Sequence, residues 1–248
     1  MNGCIFYPAE ASPALTFAAA RLREMGFTVT TTPGPSVTHL LLPVPSFDGS
    51  GRIRGGQELQ ELLGSLPPNI HIIGGSLDHP ALQGFDITDL LQDETYVAQN
   101  AYITAHCAVR LVMDLLPVAL RGCKVLVIGW GRIGKCLAAL LKGLEAQVTV
   151  AARKDADRAM LRALGYEALP TEGLSGEGFR VILNTAPVMV LPEGPAEALK
   201  IELASKPGIG GEDVIRAGGL PGKYAPETSG VLIARTAVRL LDGKEKQL

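Results

Sequence analysis

The sequence predicts an α/β protein built from two Rossmann-like, three-layer α/β/α domains, each with a parallel sheet. Two observations support this fold class. Short apolar runs alternate with stretches of helical periodicity in both halves of the chain, as parallel sheets covered by helices require. One apolar run, at residues 125–128, leads directly into a glycine-spaced turn and a helix. A long helix is expected to join the domains, and a C-terminal helix is expected to return to the first domain.

The first half of the chain is predicted to form an N-terminal substrate domain, residues 1–117, with a flavodoxin-like fold. Ser12 is a suitable N-cap for a helix with Pro13 at its first position, and Gly26 ends that helix. The predicted strands of this half are 3–7, 27–31, 39–42 and 69–73, and its predicted helices are 13–25, 57–66 and 94–116.

The second half is predicted to form a nucleotide-binding Rossmann domain, residues 118–225. A C-terminal helix, in residues 226–248, is predicted to pack on the N-terminal domain. The predicted strands are 125–128, 147–151, 181–183 and 201–204, and the predicted helices are 132–143, 155–164, 212–217 and 226–241.

The glycine turn carries the strongest functional signal. Gly129 permits a tight turn, Gly131 lets the backbone approach a pyrophosphate, and Gly134 lets the helix pack closely on the strand. The alternative is a turn that serves packing alone. Because strand, turn, helix and second strand follow in the required order, the motif predicts dinucleotide binding by Gly129, Trp130, Gly131, Arg132, Ile133 and Gly134.

The end of the second nucleotide strand indicates which dinucleotide binds. An acidic residue usually accepts hydrogen bonds from the NAD ribose at this place, but the chain has Ala152, followed by Arg153 and Lys154. Two cations favour the 2′-phosphate of NADP, and NAD is the less favoured cofactor. In the alternative interpretation, Asp155 and Asp157 neutralise the two cations.

Composition excludes several classes of function. A net charge of −2 and 5% aromatic residues give neither the charge nor the stacking surface that nucleic-acid binding requires. The four cysteines have no metal-ligand spacing, so no metal site is predicted. Without a signal-peptide pattern or a membrane-spanning apolar run, the predicted location is the cytoplasm.

Polar loops follow the later strands and are predicted to line a cleft. The first contains Asn184, Thr185, Ala186 and Pro187, which are expected to border the nicotinamide ribose. The second contains Ser205 and Lys206, and a third stretch contains Lys223. Lys206 and Lys223 are candidates to pair with substrate carboxylates, and Arg52 and Arg54 are further candidates.

Several motifs together resemble the family of the dipicolinate synthase A subunit. They are LQDETYVAQNAYITAHCAVRLVM, VLVIGWGRIGKCLAALLKGLEAQVTVAAR, ILNTAP, LASKPG and GLPGKYAPETSG, in that order. The resemblance implies a two-domain, NADP-linked oxidoreductase, connected with sporulation, that acts on dihydrodipicolinate or its hydrated precursor. It also implies a small flavoprotein-like second subunit, and a homo-oligomer (a dimer) is expected.

The resemblance also identifies candidate residues on the long helix. The family's motif is similar to Asn-Ser-x-Pro-Thr-x-Glu-Gly, and Asn100 and Thr104 match it as substrate residues, whereas His106 stands where the family has glutamate. An imidazole lining the cleft would move the proton that accompanies hydride transfer. The alternative is a histidine buried in the core of an apolar helix.

Two other functions stay open from the sequence. A D-2-hydroxyacid dehydrogenase of the glycerate or glyoxylate reductase type has a similar architecture, but it needs a histidine late in the nucleotide domain, and none follows His106 here. A subunit that binds NADP without catalysing a reaction would explain the replaced glutamate.

Overall fold

The computed structural model describes residues 3–9 and 12–245 and divides the chain into two compact units. The first unit comprises Met1–Asn100 and Pro221–Leu248, and the second comprises Ala101–Leu220. The outermost residues of the predicted domains, 1–2 and 246–248, lie outside the described residues. A long helix, α3 (Glu94–Leu115), begins in the first unit and continues into the second.

The first unit contains a five-stranded parallel sheet. Its strands are β1 (Ile5–Pro8), β2 (Thr28–Val29), β3 (His39–Leu41), β4 (His71–Gly74) and β5 (Asp86–Asp89). They are ordered β2-β1-β3-β4-β5, which is the flavodoxin-like order of a doubly wound sheet. The sequence did not predict β5, because this short edge strand has two aspartates and no continuous apolar run.

The helices of the first unit include α1 (Pro13–Glu24) and α2 (Leu59–Gly64). Ser12 occupies the N-cap of α1, but its side chain makes no capping hydrogen bond, so the predicted cap is wrong in that respect. The helix predicted over 57–66 is shorter, because Glu58 is already extended at the N-cap and Ser65 follows the last turn.

The C-terminal part of the chain returns to the first unit through α6 (Leu220–Tyr224) and α7 (Pro226–Glu245). Helix α7 packs along α1, and Gly230 lies at the closest approach. A Cβ atom at Gly230 would lie 2.7 Å from the Ala18 nitrogen and from the Phe17 Cβ. In addition, the Arg239 guanidinium on α7 pairs with the Asp93 carboxylate at 2.6 Å, just before α3 begins.

The second unit contains a six-stranded parallel sheet. Its strands are β6 (Lys124–Ile128), β7 (Gln147–Ala151), β8 (Glu167–Leu169), β9 (Val181–Asn184), β10 (Leu199–Glu202) and β11 (Ile215–Arg216). Their order, β11-β10-β9-β6-β7-β8, is that of a Rossmann sheet with its switch point between β6 and β9. Helices α4 (Arg132–Gly143) and α5 (Asp155–Ala163) connect β6, β7 and β8. The predicted α/β fold class with parallel sheets is confirmed.

The second unit differs from the predicted elements in three places. The helix predicted over 212–217 is wrong, because Ile215 and Arg216 pair with Ile201 and Glu202 as strand β11. Strand β10 begins two residues earlier than predicted, since it includes the buried Lys200. Strand β8 was not predicted, because two of its three residues are exposed and its pattern is short.

A row of aromatic rings crosses the first sheet on β1, β3 and β4. The Phe6 and His39 rings stack with centroids 4.8 Å apart, and the His39 and His71 centroids are 5.4 Å apart. The row ends on β5, where His71 Nδ1 lies 2.7 Å from the Asp86 carboxylate. Burial, and next the neighbouring His71, lower the pKa of His39 to about 4, although Asp86 acts in the opposite direction.

Within residues 3–9 and 12–245, no helix is both long enough and apolar enough to span a bilayer.

The close approach of α7 to α1 predicts that Gly230→Ala destabilises the fold. The added methyl group would meet the backbone of α1, which cannot rotate away, so we expect the free energy of unfolding to fall by about 1–3 kcal/mol. Gly243→Ala on the same helix is the matched control, because nothing lies within 4 Å of the added atom. Urea denaturation of both variants measures the difference, and equal stability would contradict the packing role.

The lowered pKa of His39 predicts that the first unit loses stability in mild acid. Between pH 6.5 and about 4 the unfolded chain binds a proton at this residue while the folded chain does not. The free energy of unfolding should therefore decrease as pH falls from 6.5 towards 4. His39→Gln should have a shallower pH dependence than the natural chain, as measured by urea denaturation at several pH values. Parallel curves for the two proteins would exclude this effect.

Candidate functional site

The glycine turn lies at the switch point of the second sheet, where β6 ends. Gly129 has a φ of 103°, and its N–H donates to the Ala151 carbonyl at 2.9 Å. A Cβ at Gly129 would collide with the Thr185 hydroxyl, and a Cβ at Gly134 would collide with the Gly129 carbonyl oxygen. The packing of strand, turn and helix therefore requires glycine at both positions.

Gly131 differs from the other two glycines, because nothing lies within 4 Å of the place where its Cβ would be. It is the N-cap of α4, with extended backbone and no side-chain cap. The N-terminus of α4, with the positive end of its dipole, therefore meets this open space without a side-chain cap. Space beside the backbone at this position is what a pyrophosphate needs.

The loop after β7 presents two cations. Arg153 and Lys154 are exposed, whereas Ala152 is buried. Arg158, from the first turns of α5, donates to the Ala152 and Arg153 carbonyls at 2.7 Å each and pairs with the Asp155 carboxylate. Asp155 is therefore engaged by Arg158. In the part of the chain that the structure describes, no ion pair joins Arg153 or Lys154 to an acidic residue.

Trp130, the only tryptophan of the sequence, lies in the middle of the turn. Its half-buried ring meets the Tyr166 ring edge-on with centroids 6.0 Å apart. The Lys135 ammonium lies 5.8 Å from the Trp130 centroid. The fluorescence of this indole is therefore expected to respond to changes in the surroundings of the turn. Arg132 and Ile133 form the first turn of α4 that follows it.

The loop after β9 begins at the same edge of the sheet. Thr185 donates to the Ile128 carbonyl from both its N–H, at 2.8 Å, and its hydroxyl, at 2.9 Å. Asn184 is fully buried, and its amide bonds the N–H and the carbonyl of Ala186 at 3.0 and 2.9 Å. Residues 184–186 thus form a fixed turn directly beside Gly129, and Pro187 follows it.

Sequence reasoning missed Glu202, a buried carboxylate at the end of β10. One of its oxygens accepts from the Asn184 amide at 2.7 Å and from the Ala204 N–H at 3.0 Å. The other accepts from the N–H groups of Gly208 and Ile209 at 2.7 and 3.3 Å. The only sequence signal was an acidic residue at the end of an apolar strand, which is uncommon in a buried parallel sheet.

The loop after β10 presents Ser205, Lys206 and Pro207, all of them exposed. Gly208, which follows them, is buried against the loop after β9. The structure therefore brings the two loops and the glycine turn to one edge of the second sheet.

The remaining candidates lie elsewhere on the chain. Asn100 and Thr104 are half-buried and one helical turn apart on α3, Asn100 in the first unit and Thr104 in the second. His106 is exposed, so its interpretation as a core histidine is wrong. Lys223 lies in the first unit, with its ammonium 5.1 Å from the Tyr224 ring centroid.

Arg52 and Arg54 are already used by the loop that contains them. The Arg52 guanidinium pairs with Glu58 at 3.1 Å and donates to the Gly56 carbonyl at 2.8 Å. Arg54 donates to the Phe47 carbonyl at 3.0 Å. These bonds give both arginines a structural role within residues 47–58.

A cavity of about 840 Å³ lies at the opposite edge of the second sheet, beside Lys124 and Gln147. Its Lys142 ammonium is held by the Leu164 and Gly165 carbonyls at 3.0 and 3.1 Å. Ligands of parallel sheets bind at the carboxyl ends of the strands, so we place the candidate site at the glycine turn and not at this cavity.

Comparisons with known proteins find relatives of this chain in sequence and in fold. The chain matches no model of a known protein family. It is 26% identical over 235 residues to the dipicolinate synthase A subunit of Bacillus subtilis (strain 168), and the match covers 84% of this chain and 79% of that protein.

Two solved structures share the fold. The dipicolinate synthase A subunit from Bacillus halodurans has a TM-score of 0.82 at 22% identity, covering 96% of this chain and 98% of that chain. The transhydrogenase from Sinorhizobium meliloti has a TM-score of 0.70 at 12% identity, covering 97% and 94%. The resemblance predicted from the motifs is confirmed: this chain is similar in sequence and in fold to the A subunit of dipicolinate synthase.

Proposed function

We propose that the protein is an NADP-linked oxidoreductase that transfers hydride between the nicotinamide and dihydrodipicolinate or a related small carboxylated substrate. The observation that carries this proposal is the glycine turn at the switch point, with free space beside Gly131 at an uncapped helix N-terminus. The similarity to the A subunit of dipicolinate synthase supports the substrate class.

The residues at the turn fit a dinucleotide. Gly131 and the first turn of α4, with Arg132 and Ile133, would hold the pyrophosphate through backbone N–H groups. Trp130 would lie beside the cofactor, and the turn at Asn184–Pro187 would border the nicotinamide ribose. When bound, the nicotinamide supplies hydride donation or acceptance at C4, and the protein supplies position and charge.

The loop after β7 favours NADP over NAD. Ala152 leaves no carboxylate to accept from a ribose 2′-hydroxyl, and Asp155 is engaged by Arg158. Arg153 and Lys154 would pair with the 2′-phosphate through charge-assisted hydrogen bonds.

Lys206 and Ser205 are our candidates to hold a substrate carboxylate, and Lys223, Asn100 and Thr104 are further substrate candidates from the resemblance. His106 is the proposed acid–base group. Its exposure leaves the imidazole accessible for proton exchange.

The Bacillus subtilis relative is named for one subunit of its synthase, which supports a partner chain here as well. We propose a small flavoprotein-like partner and a homo-oligomeric assembly. NADPH oxidation by the purified chain, with and without a candidate partner, across pyridine and 2-hydroxy-acid carboxylates, tests the function. His106→Asn, which lacks the proposed acid–base group, is the control variant for activity.

The outcomes separate the alternatives. Turnover of 2-hydroxy acids alone would favour a D-2-hydroxyacid dehydrogenase, although no histidine follows His106 to act as its usual base. NADP binding without turnover in any mixture would favour a non-catalytic subunit.

Gly131→Val should abolish NADP(H) binding while the fold stays intact, because the side chain would fill the space that the pyrophosphate needs. Titration of Trp130 fluorescence with NADPH measures binding, and thermal denaturation measures the fold. Gly143→Val is the matched control, since it lies at the other end of α4 with nothing within 4 Å. Normal binding by Gly131→Val would make the turn a packing feature only.

Arg153→Ala should weaken NADPH binding about tenfold or more and leave NADH binding nearly unchanged, because it removes a charge-assisted bond worth about 1.5–3 kcal/mol. Arg162→Ala, at the far end of α5, removes a cation without touching the loop and serves as control. Calorimetric titration with both cofactors measures the change. An equal loss for NADH and NADPH would contradict the assignment.

Lys206→Met should raise the KM for the carboxylated substrate about tenfold and leave NADPH affinity unchanged, because only the substrate loses an ion pair. Lys124→Met, at the amino end of β6, is the matched control. Steady-state kinetics gives KM, and Trp130 fluorescence gives cofactor affinity. If both variants have the KM of the natural chain, Lys206 is a solvated surface lysine.

A further inference from the structure

Glu202 carries a buried charge that no cation neutralises among the described residues. Glu202 is 4% exposed. Its carboxylate accepts hydrogen bonds from one side-chain amide and three backbone N–H groups. Transfer of a carboxylate out of water costs free energy, and hydrogen bonds from several N–H donors offset that cost. Glu202 therefore holds the chain around it in one arrangement.

The three backbone donors come from both sides of the exposed segment Ser205–Pro207. Ala204 precedes this segment, and Gly208 and Ile209 follow it. The Glu202 carboxylate thus bonds both ends of a short loop, and the three exposed residues lie between these ends. Glu202 fixes the Ala204 end of the loop, and it shares the Gly208 end with the Val190 and Leu191 N–H groups, which donate to the Gly208 carbonyl at 2.9 and 3.0 Å.

Glu202 also connects this loop to the neighbouring one. It pairs in register with Asn184 across β10 and β9, and it accepts from the Asn184 amide at 2.7 Å. A Cβ at Gly208 would lie 2.7 Å from the Val188 carbonyl oxygen and 2.9 Å from that of Ala186. The two loops are therefore in close backbone contact at Gly208.

The two loops do not depend on Glu202 equally. Asn184 keeps its own bonds to Ala186 at 2.9 and 3.0 Å, so the turn beside the glycine motif is fixed locally. For the loop after β10, the described contacts of its Ala204 and Ile209 N–H groups are those with Glu202. Loss of the carboxylate should release Lys206 and leave the dinucleotide turn almost unchanged.

We propose that Glu202 is a positioning residue for the substrate: its carboxylate fixes the Ser205–Pro207 loop so that Lys206 meets a substrate carboxylate. This inference rests on the proposed function, because it assigns the loop to substrate binding.

The chain offers a matched control on the same strand. Lys200 lies two residues before Glu202 on β10 and is 2% exposed. Its ammonium pairs with Asp213 at 2.6 Å and donates to the Pro195 carbonyl at 2.9 Å. Lys200→Met therefore removes a buried charge from β10 without touching the loop that carries Lys206.

The experiment compares Glu202→Gln with Lys200→Met and the natural chain. Three quantities are measured: NADPH affinity by Trp130 fluorescence, pyridine-2,6-dicarboxylate affinity in the presence of NADPH by calorimetry, and hydrogen exchange at the Ala204, Gly208 and Ile209 amides. Glu202→Gln keeps the shape of the side chain but loses the charge and one acceptor.

We expect Glu202→Gln to weaken dicarboxylate binding at least tenfold, change NADPH affinity less than threefold, and speed exchange at the three amides. Lys200→Met should match the natural chain in all three measured quantities. Equal dicarboxylate affinity in the two variants would overturn the role of Glu202 and leave the proposed function standing. If the natural chain fails to bind NADPH, or fails to bind the dicarboxylate, the proposed function is overturned, and this inference with it.

A second variant decides the matter if Glu202→Gln does not fold. Pro207 is exposed, so Pro207→Gly loosens the loop without disturbing the buried carboxylate. We expect it to weaken dicarboxylate binding in the same direction with unchanged NADPH affinity. An unchanged dicarboxylate affinity would mean that the conformation of the loop does not control binding, and the inference would be overturned.

Discussion

The close approach of backbone to backbone at the end of β6 is the constraint on which the candidate site depends. Helix α4 starts against the turn with the Gly129 carbonyl where a Cβ of Gly134 would lie, and the Thr185 hydroxyl occupies the space beside Gly129. Any side chain at either glycine would push α4 or the loop after β9 away from the strand. The dipole of α4 would then no longer converge with that loop on the space beside Gly131.

The site that results is made largely of backbone groups, and side chains hold those groups in place. Arg158 bonds the carbonyls after β7, so that loop is fixed while Arg153 and Lys154 are left exposed. Thr185 fixes the start of the loop after β9 through the Ile128 carbonyl. Arg158 and Thr185 thus hold the two loops by bonding to backbone carbonyls.

Strand β10 shows two solutions to the burial of charge. Lys200 is compensated by the Asp213 carboxylate, whose pKa is lowered chiefly by that hydrogen bond, and by a backbone carbonyl. Glu202 is compensated by N–H donors alone. The first arrangement ties β10 to the segment before β11. The second ties together the two loops at the carboxyl edge, so neighbouring charges on one strand serve different parts of the unit.

The sequence by itself determined the elements around the glycine turn: α4 and β7 have the predicted bounds, because glycine spacing and apolar runs are local signals. It did not reveal the roles of Glu202, Arg158 or Lys200, nor that residues 215–216 form a strand. Ile215 becomes β11 only by pairing with Ile201, and Glu202 becomes an anchor only when Asn184, 18 residues away, lies beside it. Such partners are far apart along the chain, and a buried charge is stable only where folding brings its donors together, so tertiary structure alone decided them.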